Sequence, residues 1–497
     1  MNRPLRFRLA LLLAPTLVAG CALGPRTVQP DVSLPPAYAA RPSAAQPQAA
    51  LDRWWDLYGD RQLQGLVDQA LGQAPDARIA RARLTEAMAV RAGALAAYAP
   101  QGALQASASR TDTSVISGPP PLALPGGQSL SLTNGGVSTA YGGDFNVSWE
   151  LDVFGRGRAT RGKADADLAR ARFDAAAARA SLAAQAADQL FQARALAVQL
   201  ADARDSARIL RQLAQAAQGR AAEGLVAATD ADQAAAEAAE ADAAVTEFAV
   251  QLAAARRALL VLIGRGTDPL DSLPVEAEAG APPAVPATLP SALLARRPDV
   301  RAAAETLRSA RGQLKLDELA LLPTFALQPT GGINAYPLYG LPVTSGAWTL
   351  GAGMVQPILD LPRLKTQIRA QGARADQAAI AYEQTVRTAY GEAETALAEL
   401  AAETARAELL AGAEAKARLA YDAARARYAA GIDDLTQVLV AERTWRAARL
   451  ALTGARAQAL RRSVQAFKAL GGGWSPDAPL VEAADAGSVS RGAPGAR

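Results

Sequence analysis

The fold is decided by the stretch Gly157–Gln218, which reads GRATRGKADADLARARFDAAAARASLAAQAADQLFQARALAVQLADARDSARILRQLAQAAQ. It runs for about 62 residues without a proline, and it consists largely of residues that favour helices. A seven-residue spacing joins eight positions, with one polar break: Leu168, Ala175, Leu182, Gln189, Leu196, Ala203, Leu210 and Ala217. Such a helix would measure about 93 Å, which is too long for a compact globular domain. We therefore predict a coiled-coil rod, the alternative being a solvent-exposed alanine-rich helix.

The composition excludes several classes of protein. The chain has 497 residues, a formal net charge of +4, no histidine and one cysteine. Without histidine the most common general base and metal ligand is missing, and one cysteine excludes an intrachain disulfide. The arginines are interleaved with acidic residues instead of forming a basic face, so no nucleic-acid partner is expected. We expect neither an enzyme nor a cofactor.

Residues 1–20 have the features of an export signal. Three arginines precede an apolar run, Leu9–Val18, that is short for a membrane span. The sequence Val18-Ala19-Gly20-Cys21 resembles a bacterial lipobox, in which the cysteine becomes the lipidated first residue. We predict lipidation of Cys21, the alternative being an ordinary cleaved signal with a chance cysteine.

Residues 21–74 combine a tether rich in proline and alanine with a short amphipathic helix. The apolar positions of this helix keep helical spacing: Leu63, Leu66, Val67, Ala70 and Leu71. Ala74-Pro75-Asp76 interrupts the helix and begins another, which we predict to run over residues 75–99.

Between Gly102 and Phe154 the apolar period changes from 3.6 to 2. Apolar and polar residues alternate without a fault in Phe145–Val153, and residues 104–109 alternate in the same way. A loop rich in proline and glycine separates the two runs, which predicts a β-hairpin. Strands of about ten residues with one apolar and one polar face suit a transmembrane barrel, although a hairpin of a soluble sandwich alternates too.

The sequence repeats itself once. Proline punctuation at residues 75 and 100 recurs at residues 298 and 323, and four helix-end residues recur at a constant offset of 207: Arg156, Arg220, Gly224 and Gly264 as Arg363, Arg427, Gly431 and Gly471. We predict a first repeat over 75–264, a linker over 265–297, a second repeat over 298–471, and a disordered tail over 472–497. In each repeat two short helices (75–99 with 226–263, then 299–322 with 432–470) would stack end to end beside one long helix (157–218, then 363–427).

Each repeat contributes two strands, and the resulting four cannot close a barrel, because about eight is the smallest practical number. Open edges in lipid leave backbone groups unpaired, so the chain must oligomerise. Two copies would give eight strands and a filled interior, and three would give twelve and a water-filled bore. Polar residues predicted to face inward favour three copies: Asp144, Asn146, Ser148 and Glu150.

Taken together, these features resemble the TolC-like outer-membrane efflux factors, in particular the lipid-anchored branch that serves resistance-nodulation-division pumps. The matching motifs occur in the family's order between residues 54 and 474: WWD (54–56), WELDVFGR (149–156), RPDVR (297–301), QPILD (356–360), RYAAG (427–431) and KALGGGW (468–474). The resemblance implies a mainly α fold with a β contribution. In it, long antiparallel coiled-coil helices form a periplasmic α-barrel, and a trimer forms a twelve-stranded β-barrel in the outer membrane. It also implies a passive duct for drugs or other small solutes, a periplasmic adaptor and an inner-membrane pump as partners.

The resemblance also identifies two groups of candidate site residues. The turns 220–226 and 427–433 match the tips on which the family docks its adaptor, with these residues singled out: Arg220, Gly224, Leu225, Val226, Arg427, Gly431 and Ile432. The candidate periplasmic gate comprises Asp433, Asp434, Gln437, Val440 and Arg443, of which Arg443 matches a basic residue of the family. Gln437 and Val440 stand where the family commonly has acidic residues, so a negative ring from Asp433 and Asp434 or an apolar ring at Val440 is the alternative. The two aspartates would also serve as helix caps.

Two other classes of function compete with an efflux duct. A protein-secretion or metal-efflux duct would use the same architecture. A coiled-coil envelope lipoprotein without a pore would share the rods, but it would not need strands with a polar face.

Overall fold

A computed structural model describes residues 28–39, 51–118, 120, 122–123, 125–126, 129–130, 136–278, 280–286, 288–338 and 341–475. The predicted signal peptide, the lipidation residue Cys21, most of the tether and most of the predicted tail lie outside these described residues.

Seven α-helices of more than ten residues organise the described chain. They are α1 (Arg61–Gln73), α2 (Pro75–Ala96), α3 (Arg156–Ala222), α4 (Ala228–Leu262), α5 (Pro298–Leu319), α6 (Leu361–Ala429) and α7 (Leu435–Ala469). The predicted rod is confirmed as α3, and all four leucines of its heptad are buried: Leu168, Leu182, Leu196 and Leu210. Among the described residues, no helix has the length and apolar character that crossing a bilayer requires.

The prediction that the two short helices of each repeat together match the long helix in length is wrong. The short helices α2 and α4 have 22 and 35 residues, and together they fall short of the 67 residues of α3. The second half behaves alike, with 22 and 35 residues in α5 and α7 against 69 in α6. Part of the difference arises because the turns at the ends of each short helix take up residues that the prediction counted as helical, and the rest arises because α3 and α6 are longer than predicted.

The chain divides into two compact units, which are described separately. The first contains residues 87–168 and 306–379 together with residues 28–29 of the tether. The second contains residues 30–86, 169–305 and 380–475 of the described chain.

The first unit contains a four-stranded antiparallel sheet. Its strands are β1 (Gln101–Thr113), β2 (Gly136–Leu151), β3 (Thr324–Leu338) and β4 (Leu341–Val355), in the order β1-β2-β3-β4. A separate pair of two-residue strands, Leu122–Ala123 and Ser129–Leu130, lies in the loop between β1 and β2. The predicted hairpin is therefore confirmed, and β1 and β4 are the outer strands of the sheet.

The strand register sorts side chains onto two different faces. Leu104 pairs with Phe145 and Gly331 with Trp348 on one face, whereas Gln105 pairs with Asp144 and Thr330 with Thr349 on the other. The apolar face is open, since Leu104 is 78% exposed and Trp348 is 82% exposed. The four predicted polar residues of β2 share the opposite face: Asp144, Asn146, Ser148 and Glu150.

An aromatic core dominates the second unit. The Trp54 ring stacks on Phe467 with centroids 5.5 Å apart, and Trp55 meets Trp54 edge-on at 5.6 Å. The five apolar residues that predicted α1 are all buried in this core, which confirms the amphipathic helix. The linker joins the same core through Leu273, Val285 and Leu293, and it also includes the short 3-10 turns Leu270–Ser272 and Pro290–Ala292.

The ends of the short helices meet in this unit. Gly264 follows α4, and Gln73 lies two residues before the start of α2. A Cβ placed on Gly264 would lie 3.1 Å from the carbonyl oxygen of Gln73. In the same way, a Cβ on Gly471, after α7, would lie 2.8 Å from the carbonyl carbon and oxygen of Arg296, just before α5. Each pair of short helices is therefore in contact end to end.

The described part of the tether follows α6. In the second unit the backbone N–H of Asp31 donates to Glu383 (2.7 Å) and that of Ala39 donates to Glu394 (2.7 Å). The Tyr38 ring stacks on Tyr390 with centroids 5.9 Å apart. Backbone donors and an aromatic side chain thus fix residues 31–39 on the long helix.

Candidate docking tips and gate

The two predicted tips are turns of the same construction. After α3 the N–H of Gly224 donates to the Ala221 carbonyl (2.9 Å) and that of Leu225 donates to the Arg220 carbonyl (2.9 Å). After α6, Gly431 donates to Tyr428 (3.0 Å) and Ile432 donates to Arg427 (2.9 Å). This is the Schellman pattern, which requires a left-handed residue after the helix. Both glycines provide it, with φ of 72° at Gly224 and 74° at Gly431.

Each tip presents an apolar side chain directly after its glycine. Leu225 is 68% exposed and Ile432 is 67% exposed, whereas Val226 is half-buried. The Arg220 guanidinium lies 4.9 Å from the centroid of the Tyr428 ring, so the final turns of α3 and α6 are in contact. The tips therefore form one surface with two matched apolar side chains.

The gate aspartates are both engaged in local contacts. Asp434 is the N-cap of α7, and one of its carboxylate oxygens accepts from the N–H of Gln437 (3.0 Å). The Arg427 guanidinium donates to Asp433 (2.8 Å), and this contact raises the pKa of Arg427. The capping role considered for Asp434 is thus observed, whereas Asp433 makes an ion pair across the turn.

The remaining gate residues differ in their surroundings. Gln437 and Val440 are exposed, and Val440 is 55% exposed. Arg443 instead forms an ion pair with Glu237 of α4, whose side chain is 5% exposed. The structure therefore brings Arg443 together with an acidic residue that sequence reasoning missed.

A buried acidic pair lies behind Arg443. Glu237 and Glu442 both approach the guanidinium of Arg446, at 3.6 Å each, which is beyond hydrogen-bonding distance. Glu442 is fully buried, and desolvation raises the pKa of its carboxyl group. The pair ties α4 to α7 at a site where ionised carboxylates are costly to keep.

A second ionic cluster ties α7 to α3 a turn farther from the tips. Arg449 lies 3.4 Å from Asp202 and 3.7 Å from Asp205, and its guanidinium also lies 4.7 Å from the Trp445 ring. Burial raises the pKa of Asp202. Trp445 in turn donates to Glu414 of α6 (2.7 Å). Polar contacts thus join α7 to α3, α4 and α6.

A charge contrast in the sequence could have revealed this pairing. Between residues 228 and 255, α4 carries six acidic residues and no basic one, whereas α7 carries seven basic residues and one acidic residue. Neighbouring helices with such opposite charge are expected to pair. The individual partners still depend on how each helix is rotated, which the spacing alone does not determine.

Comparison with known proteins agrees with this architecture. A family described as "Outer membrane efflux protein" matches residues 66–265 and 289–472. The pyoverdine export outer membrane protein OpmQ of Pseudomonas putida is 28% identical over 464 residues, which cover 90% of this chain and 93% of that protein. The toluene efflux pump outer membrane protein TtgC of Pseudomonas putida is 26% identical over 483 residues, covering 94% and 95%.

Solved structures show the same fold. The outer-membrane channel OprN superposes with a TM-score of 0.77 at 27% identity, covering 91% of this chain and 100% of that one. CusC also superposes with a TM-score of 0.77 and the same coverage, at 22% identity, and it supports the fold alone. The resemblance to outer-membrane efflux factors is confirmed: the chain belongs to the outer membrane efflux protein family, whose members are transport ducts and not enzymes.

Proposed function

We propose that three copies of this chain form one passive duct across the outer membrane, built on the internal repeat, which carries drugs or other small solutes out of the periplasm. The observation that carries this proposal is the four-stranded sheet. Among the described residues its outer strands β1 and β4 have no neighbour beyond them in the sheet, one of its faces is apolar and exposed, and the other is polar.

Contact with lipid on one face and with water on the other accounts for the unpaired edges and the two different faces of this sheet. Unpaired strand edges are very costly in lipid, so β1 and β4 need partners from other copies. The face with Leu104 and Trp348 suits lipid tails, and the face with Asp144 and Asn146 suits a water-filled bore. Twelve strands from three copies enclose such a bore, whereas eight from two copies would be filled by side chains.

The assembly is tested by mass and by conductance. Light scattering of the detergent-solubilised protein should give the mass of three chains, and the same sample should form ion-conducting pores in a planar bilayer. A stable monomer, or a trimer without conductance, would contradict the duct and would favour a coiled-coil envelope scaffold.

We propose that the tips receive a periplasmic adaptor, which links the duct to an inner-membrane pump. Two exposed apolar side chains offer a contact that an adaptor of complementary apolar surface would bury. The double variant Leu225→Asp with Ile432→Asp should lose co-purification with the adaptor and sensitise cells to exported drugs. Leu289→Asp changes an exposed leucine of the linker and is the matched control; equal sensitisation by this control would argue against docking at the tips.

We propose that Cys21 carries the lipid anchor and that the family's lipid-anchored branch includes this chain. The run Val18-Ala19-Gly20-Cys21 supports this, because it resembles a bacterial lipobox and contains the one cysteine of the sequence. Labelled palmitate should enter the wild type and not Cys21→Ser. Incorporation into Cys21→Ser would show that the cysteine is not the acceptor.

We propose that Asp433 and Asp434, beside the second tip, form a negative ring at the periplasmic gate. Asparagine still caps a helix, so Asp433→Asn with Asp434→Asn removes the charge with little effect on α7. If the aspartates form a negative ring, this variant should change single-channel conductance or block by divalent cations. Unchanged conductance, together with a change in Val440→Ser, would assign the constriction to an apolar ring.

A further inference from the structure

A groove of about 990 Å³ opens between α3, α6 and α7 in the second unit, and the start of α5 lines one of its ends. This volume lies at the upper end of the range of about 300–1,000 Å³ that is usual for small-molecule sites. Of the described residues that line it, eight are charged, four of each sign: Arg297, Arg461, Arg462 and Lys468 against Asp188, Asp299, Glu392 and Glu399. The groove is therefore neutral as a whole, and what it can bind depends on how these charges are paired.

The charges at the end of the groove nearer the tips are evenly paired. The Arg461 guanidinium donates to both carboxylate oxygens of Asp188, at 2.7 and 3.1 Å. The neighbouring Arg462 lies 2.6 Å from the carboxylate of Glu399. Each arginine has a carboxylate of its own, so this end offers no unbalanced charge to a ligand.

The carboxylates at the other end outnumber the arginines. Arg297 donates to Asp299 (2.6 Å) and to Glu392 (2.6 Å), so one guanidinium serves two carboxylates and a negative charge is left over. The Arg297 side chain is 10% exposed, whereas Asp299 and Glu392 are 45% and 53% exposed. The surplus negative charge is therefore open to a ligand, and the arginine that holds it in place is covered.

The opposite wall of the same end carries a cation without a carboxylate. The Lys468 ammonium lies 3.4 Å from the hydroxyl oxygen of Ser181 on α3, and no carboxylate of the described residues is within ion-pair distance of it. Lys468 is exposed and follows Arg461 by two helical turns on the same helix. An unpaired ammonium beside α3 thus stands across the groove from the surplus carboxylate of Glu392 on α6.

The groove also has room and neutral hydrogen-bonding groups between these two charges. Gln465 and Thr395 line it, are exposed, and have no side-chain hydrogen-bond partner among the described residues. Ala177, Ala180 and Ala396 form other parts of the wall, and their small side chains leave space for an apolar group. A ligand with two opposite charges and an apolar part would meet a complementary group at each point.

The groove and the aromatic core lie on different faces of the helical layer. α7 contributes Leu460, Val464 and Phe467 to the core, and it presents Gln465 to the groove. Tyr38 of the tether belongs to the same core. In the proposed duct the tether runs outside, on its way to the bilayer, so the groove opens toward the bore.

We infer that this end of the groove binds small zwitterions, with the ligand ammonium at Glu392 and Asp299 and the ligand carboxylate at Lys468. This inference rests on the proposed duct and deepens it by naming one class of solute that contacts its wall. A ligand with a single charge satisfies one wall and leaves the other unbalanced. Complementary charge of this kind gives specificity more than affinity, so we expect weak but selective binding.

Four forms of one compound test the class of ligand. Phenylalanine is the zwitterion, N-acetylphenylalanine the anion, phenylalaninamide the cation and N-acetylphenylalaninamide the neutral form, at pH 6, where a free amine carries its proton. Titrations of the detergent-solubilised full chain, followed by saturation-transfer NMR, should show the tightest binding for phenylalanine. Equal affinity for the four compounds would overturn the inference.

Two variants assign the two charges. Lys468→Gln should weaken phenylalanine binding by about fivefold, the upper range for one exposed ion pair, and should leave phenylalaninamide unchanged. Glu392→Gln should remove the preference for phenylalanine over N-acetylphenylalanine, while Asp299 still holds Arg297. Lys416→Gln changes an exposed lysine of α6 outside the groove and is the matched control.

The outcomes separate this site from the duct, because the titration needs no conduction. A wild-type preference that survives in Lys468→Gln, or one that is lost equally in Lys416→Gln, would overturn the site. A conducting particle without any preference for phenylalanine would overturn the site and leave the duct intact. A particle that shows the preference but does not conduct would overturn the duct and support the site.

Discussion

Replacing Gly471 with alanine probes the end-to-end contact of the short helices. Gly471 has a φ of 80°, and an alanine Cβ there would lie 2.8 Å from both the carbonyl carbon and the oxygen of Arg296. Gly431 has nearly the same φ, 74°, but a Cβ there would meet nothing within 4 Å. The two glycines therefore share the backbone requirement and differ in the space around them.

The difference in space predicts a difference in stability. A left-handed alanine costs about 1–2 kcal/mol, and this applies to both variants. Carbon atoms pack at about 3.5–4.0 Å, so Gly471→Ala also forces an overlap of about 1 Å, which adds about 1–3 kcal/mol. We expect a loss of about 1–2 kcal/mol in Gly431→Ala and about 2–5 kcal/mol in Gly471→Ala.

Thermal unfolding of the detergent-solubilised protein, followed by circular dichroism at one fixed scan rate, measures this order. Gly264→Ala should fall between the other two, since its Cβ would lie 3.1 Å from the Gln73 carbonyl oxygen. Gly224→Ala should match Gly431→Ala, because it too has open space. Equal losses in Gly431→Ala and Gly471→Ala would show that the junction is not a tight contact.

Three further changes test other parts of the second unit. Glu442→Gln should raise the unfolding temperature at pH 7. Burial raises the pKa of Glu442, so the folded state holds the carboxyl proton more tightly than the unfolded chain does. The folded state therefore loses stability as the pH rises above about 4.3, the pKa of an unperturbed glutamate. The gain should vanish in titrations below that pH, and a pH-independent gain would exclude the carboxyl group as its cause. Asp434→Ala should lower stability by about 1 kcal/mol through loss of the helix cap, while Asp434→Asn should not; equal losses would refute capping. Trp54→Ala should cost about 3–5 kcal/mol in denaturant unfolding because it empties the stack on Phe467, and a loss under about 1 kcal/mol would mean that the core closes around the gap.

Periodicity predicted the elements well because it reports burial along one element at a time. The heptad leucines of α3 and the five apolar positions of α1 became buried faces, and the alternating run around Phe145 became a strand. The turns at the tip glycines were equally predictable, since a left-handed residue after a long helix is usually glycine. Helix ends were less accurate, as residues 97–99 and 226–227 form turns that composition does not distinguish from helix.

The contacts near the gate depended on information that one helix does not contain. Arg443 was singled out, but its partner Glu237 is about 200 residues away in the chain and on another helix. Which acidic residue of α4 faces α7 depends on the rotation of both helices, and small shifts select a different neighbour. Glu442 was missed for the same reason. An acidic residue in an arginine-rich helix is expected to be exposed, and only the neighbouring helices show that it is buried.

The two free edges of the sheet come from different halves of the chain. In the sheet the outer strands are β1, from the first half of the chain, and β4, from the second half. If copies join through these edges, each contact brings the first half of one chain against the second half of the next.

Such a contact is head-to-tail, and a head-to-tail contact closes into a ring or runs on as an open filament. In the proposed duct the sheet decides between them, because lipid tolerates no open edge and the strands would therefore have to close on themselves.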